Sequence, residues 1–123
     1  MKYILLIYGN EEARGHATKE QMGQMFAAYG AYTEAMKKAG IHVAGDPLQP
    51  VATATTVRVA SGQTKVLNGP YAETKEQLGG YYIIDVPDLD AAIGWAAKCP
   101  GASAGALEVR PLMSMEGMRH AAQ

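Results

Sequence analysis

Residues 2–8 read KYILLIY and residues 80–86 read GYYIIDV, and these two stretches decide the fold. Extended backbone sends successive side chains to opposite faces. In the first stretch Tyr3, Leu5 and Ile7 take one face while Ile4, Leu6 and Tyr8 take the other, and both sets are apolar. The second stretch is likewise rich in apolar residues on both faces. A strand of that kind is covered on both sides, so whatever packs on one face leaves a second face to be filled.

Working outward, Gly9-Asn10 ends the first strand and a helix follows. Thr18 and Gln21 have the spacing of a capping box, which starts the helix near Lys19. Met22, Met25, Phe26, Tyr29, Tyr32, Thr33 and Met36 recur at helical spacing, Lys37 and Lys38 suit the negative end of the dipole, and Gly40 is the stop. Gly23 and Gly30 each cost the helix about 1 kcal/mol relative to alanine and leave room for a close neighbour. Residues 41–45 (IHVAG) predict a short strand, and DPLQP an extended segment. TATTVRVA (53–60) alternates as a strand, with Val57 and Val59 beneath the helices and Arg58 on the other face. Ser61-Gly62-Gln63 is a hairpin turn, TKVL returns, and Asn68-Gly69-Pro70 turns again. Glu73 to Leu78 reads as a helical turn, and Gly79-Gly80 as a place for a bulge.

Pro87-Asp88 caps a second helix whose stripe is Leu89, Ala92, Ile93 and Ala96, and Pro100-Gly101 ends it. In the last strand, ALEVRPL, Leu107 and Val109 face one way and Glu108 and Arg110 the other. The result is one domain over residues 1–113, in the order β-α-β-β-β-β-α-β. Its fold class is α+β and ferredoxin-like, an antiparallel sheet with two helices on one face. Residues 114–123 form a methionine-bearing tail without a clear period, frayed or packed against something outside its domain. Two helices shelter one sheet face, so a second copy of the chain is expected on the other: a homodimer, sheet against sheet about a twofold axis.

Composition narrows the function. The 123 residues are 48% hydrophobic and 19% charged, a globular balance. Eleven basic against twelve acidic residues leave no surplus cation for phosphate backbones, which argues against nucleic acid. The leading apolar run is too short for a membrane helix or a secretory signal, so a cytoplasmic location is expected. The single cysteine, Cys99, reads as a small buried hydrophobe. His16, His42 and His120 have no metal-ligand spacing and read as surface residues. No Walker or GxGxxG pattern and no GxSxG elbow occurs, so no cofactor, no metal and no serine triad are expected.

Residues 68–85, NGPYAETKEQLGGYYIID, resemble the signature DGPFAETKEQLGGFYLID of the DGPF-domain branch of the YCII-related family. The opening KYILLIYGNE, AGDPLQP before TATTVRV, and EVRPLM match as well, so the likeness spans residues 1 to about 113. It implies a ferredoxin-like fold of the dimeric α/β-barrel type. Some relatives are treated as enzymes using a His–Asp pair, the His on the first helix. Tyr29 stands at that helix position here and Asp46 stands for the carboxylate, so the imidazole is missing. The likeness also implies a neighbourhood of extracytoplasmic-function sigma factors, hence a sigma factor as an alternative partner. Asn68 replaces the signature Asp; as a turn former it serves equally well, but it cannot exchange a proton.

The residues that could carry chemistry are few. Glu73, with Glu76 and Gln77 at helical spacing, could divide acid and base roles if burial raised one carboxyl, and Lys75 could hold a small anion. The same stretch reads equally as a solvated connector. Arg58 and Arg110 suit a carboxylate or phosphate ligand, with Tyr81 nearby, or an ion pair with Glu108. Tyr29, Asp46 and Glu73 are therefore candidate catalytic groups, and Arg58, Lys75, Tyr81 and Arg110 candidate ligand-binding groups. The expected activity is small-molecule binding or a cofactor-independent lyase- or isomerase-like proton transfer at a sheet or dimer cleft. A non-catalytic regulatory module is the alternative.

Overall fold

The computed structural model describes residues 1–122. Its strands are β1 (Lys2–Gly9), β2 (His42–Pro47), β3 (Thr55–Ala60), β4 (Gln63–Asn68), β5 (Gln77–Asp85) and β6 (Ala106–Pro111). Its helices are α1 (Glu11–Gly15), α2 (Lys19–Lys38), α3 (Leu89–Ala97) and α4 (Met115–Ala121). Four strands form one antiparallel sheet in the order β2-β5-β1-β6, and β3 and β4 form a separate hairpin. The two doubly apolar stretches, β1 and β5, are the two central strands. The sheet and its two long helices give the α+β, ferredoxin-like arrangement, with the hairpin inserted between β2 and β5.

The core lies on one face of the sheet. Tyr3, Leu5, Tyr82 and Ile84 pack there against Tyr32 and Met36 of α2 and Ala92 and Ala96 of α3. Leu5, Met36 and Ile84 are fully enclosed. The Tyr32 ring meets Tyr82 edge-on at 5.4 Å, and its hydroxyl donates to the Trp95 carbonyl at 2.7 Å. Close packing explains two glycines. A β-carbon at Gly45 would fall 2.5 Å from the Tyr82 ring, and one at Gly105 would collide with the Tyr8 carbonyl. On the opposite face Ile4, Leu6, Tyr8, Tyr81 and Ile83 are partly exposed.

Both caps form as the spacing requires. Thr18 accepts from the Gln21 amide at 3.1 Å while the Gln21 side chain accepts from the Thr18 amide at 2.9 Å. Asp88 accepts from the Ala91 amide at 2.9 Å. The glycine pair is the bulge: Ile7 faces Gly80 but Tyr8 faces Leu78, leaving Gly79 as the extra residue.

Several expectations are corrected. The β3–β4 hairpin stands apart from the main sheet, so Val57 and Val59 are 58% and 69% exposed rather than beneath the helices. Alternation of β-branched residues is the same in a core strand and in a free ribbon, so periodicity could not separate them. Residues 73–78 form no helical turn. The Gln77 side chain bridges to the Thr74 carbonyl and to the Glu11 amide, and β5 begins at Gln77, three residues before the expected Gly80. The α2 stripe is buried only at Tyr32 and Met36. Met22, Met25 and Phe26 are exposed, Phe26 by 84%, because the first half of this long helix extends past the core. Nothing approaches Gly23 or Gly30. Half of each Leu89 and Ile93 residue is exposed, leaving Ala92 and Ala96 as the buried face of α3. His42 is half-buried, its ring 6.1 Å from Tyr82. The tail carries a short helix, α4, capped by Ser114.

Candidate functional site

Antiparallel pairing assembles one polar row. Asp46 pairs with Tyr81, Tyr81 with Leu6, and Leu6 with Glu108, so these residues cross the sheet in line. All lie on the face away from α2 and α3. The Tyr81 hydroxyl donates to Asp46 Oδ2 at 3.2 Å. The carboxylate that receives this bond, and whose charge opposes a phenolate, holds the Tyr81 phenol above its ordinary range. Arg110 stands in the next row, opposite Ile4, and is exposed. No carboxylate lies within 4 Å of Arg110 among the described residues.

Tyr29 belongs to the other face. Its hydroxyl lies against Gly101, where a β-carbon would fall 2.6 Å from it, and beside the Ile7 side chain. Cys99 Sγ approaches that hydroxyl at 3.9 Å. Burial above all, then the neighbouring thiol, pushes the Tyr29 phenol upward. Burial also pushes Cys99 up, so the thiol stays protonated at neutral pH and is a poor nucleophile. The sheet therefore separates Tyr29 from Asp46.

The motif loop makes a second polar place. Glu73, Thr74 and Gln77 line a groove of about 330 Å³ whose other walls are Val51, Ala52, Pro70 and Ala72. Arg58 lies over the Tyr71 ring at 5.2 Å, a cation–π contact between the hairpin and the loop that follows it. Lys75 is exposed, with no carboxylate within 4 Å among the described residues. The seven candidates thus fall into three places: Asp46, Tyr81 and Arg110 on the free sheet face; Glu73 in the groove, with Arg58 and Lys75 on the neighbouring hairpin and loop; Tyr29 under α2.

Two residues missed in the sequence hold these parts together. Glu11 accepts from the Val51 amide at 3.0 Å, and its own amide donates to Gln77 Oε1 at 2.9 Å. Arg14 lays its guanidinium on the bulge, 3.0 Å from where a Gly79 β-carbon would sit. The available signal was Asn10 followed by two glutamates, an N-cap and an acidic first turn. Among the described residues no three His, Cys, Asp or Glu side chains could together hold a metal ion, and no helix is long and apolar enough to cross a membrane.

Residues 1–116 match the model of the YCII-related domain. An uncharacterized protein of Rhizobium meliloti is 39% identical over 118 residues, covering 91% of this chain and 92% of its own length.

Proposed function

Because the chain belongs to the YCII-related domain family, we propose that it is a small-molecule-binding protein or a cofactor-independent enzyme of its DGPF branch, working as a cytoplasmic homodimer. Its site is the cleft on the free sheet face, closed by the second copy. The reading rests on the Tyr81–Asp46 pair, set on a face that neither long helix covers. Asp46 is the proton acceptor and Tyr81 the donor, a pairing suited to lyase- or isomerase-like proton transfer. Arg110 orients a small anionic substrate, whereas Arg58 and Lys75 stand on the hairpin and loop outside this cleft.

A metabolite-library thermal-shift screen followed by variants tests this. Asp46→Asn and Tyr81→Phe leave the fold intact and weaken a hit by about tenfold or more, the scale of a hydrogen bond to a charged group. Unchanged binding in both rejects the site. Equilibrium sedimentation at micromolar concentration gives a dimer; a monomer removes the cleft.

The alternative is a non-catalytic regulatory module acting with a sigma factor. It is favoured by the hairpin, one face of which carries Val57, Val59 and Val66, each more than half exposed, an apolar surface suited to a protein partner.

A further inference from the structure

The groove beneath the motif loop has walls already fixed. Glu11 holds the Val51 amide at 3.0 Å and anchors the 3-10 turn Val51–Thr53. Gln77 spends its amide oxygen on the Glu11 amide and its amide nitrogen on the Thr74 carbonyl, at 2.9 and 2.7 Å. The Thr74 hydroxyl donates to the Glu76 carbonyl. The polar side chains of the lining are thus already engaged, with one exception. Glu73 makes no hydrogen bond or ion pair among the described residues and is the only charged side chain in the lining. The remaining walls are Val51, Ala52, Pro70 and Ala72, all apolar, and the Glu11 carboxylate lies behind Val51, bonded to its amide.

We propose that this groove is a binding site for a small primary amine with a short apolar body. The ammonium pairs with Glu73, and the hydrocarbon lies on Val51, Ala52 and Pro70. The sign follows from the lining, whose one charged side chain is a carboxylate: an anion would meet Glu73, whereas an ammonium gains a charge-assisted bond without having to break one already made. The size follows from the volume, about 330 Å³ and open to solvent, which accommodates a compact ligand. Walls fixed beforehand lower the ordering cost of binding. No residue is shared with the Asp46–Tyr81 pair, so the two sites stand or fall separately.

The test is amide chemical-shift titration of the full chain with n-butylammonium, butyrate and 1-butanol at matched ionic strength. Butylammonium shifts Val51, Ala52, Thr74 and Gln77 saturably, with a dissociation constant on the order of millimolar for so small a probe. Glu73→Gln weakens it about tenfold or more, and Asp46→Asn leaves it unchanged. Three results would overturn the proposal: butyrate or butanol shifting the same amides equally well, undiminished binding in Glu73→Gln, or no saturable shift at these four amides.

Discussion

Asp46 is the residue whose position says most about chemistry, because the strand pairing alone delivers it to Tyr81. A phenol that donates to an ionised carboxylate keeps its proton to higher pH, since phenolate and carboxylate would repel. In the intact chain the Tyr81 phenolate therefore appears above the ordinary tyrosine range near 10. In Asp46→Asn both the carboxylate acceptor and its charge are gone, and the Tyr81 transition moves down towards that range. Ultraviolet titration of wild type against Asp46→Asn, with Tyr81→Phe identifying the transition, measures it. An unmoved transition would mean the pair does not persist in solution. Tyr81 and Asp46 were both legible as candidates, but not their adjacency, which depends on the register between two strands thirty-odd residues apart. Glu11 was illegible for another reason. Its helix is five residues long and shows no period to read.

At the scale of elements, what is legible divides by whether a local rule decides. Caps were readable because Thr18 and Gln21 act within one turn. The central strands were readable because both of their faces are apolar. The hairpin was readable from its turn, but not its separation from the main sheet, since nothing in TTVRVA says which sheet the strand joins. Residues 73–78 failed because helical spacing of Glu73 and Gln77 competes with the bonds Gln77 makes to Thr74 and Glu11, and those win. The capping box gives a direct test. Thr18→Ala removes the acceptor for Gln21 and lowers stability by about 1 kcal/mol, read from urea unfolding. Because the first turns of α2 are exposed, part of the loss appears as reduced helicity in the native baseline. No change in either quantity would mean the cap contributes nothing in solution.

For the whole molecule, the core is built around protonated tyrosines. Tyr32 donates to the Trp95 carbonyl, a bond the phenolate cannot make, and burial pushes both Tyr29 and Tyr32 upward. The folded chain thus keeps protons that the unfolded chain releases near pH 10. Between the two transitions the unfolded state binds fewer protons, so stability falls as pH rises. It is fully present below pH 10 and is lost as the pH climbs through the folded-state values; Cys99, raised from 9.0 by burial, begins the same loss slightly earlier. Urea midpoints from pH 8 to 11 should decline across this window, and Tyr32→Phe should decline less. A flat profile would contradict the burial of these hydroxyls.

α2 also joins two regimes in one continuous helix. Its last turns, around Tyr32 and Met36, are locked into the interior, while its first turns, around Met22 and Phe26, are largely exposed. Deuterium uptake along it should therefore run as a gradient, fastest near Met22 and slowest near Met36, as fraying needs only local opening and the far end needs global unfolding. If a second subunit lies along that outer end, the gradient will flatten as concentration rises, which makes a single helix an internal gauge of assembly.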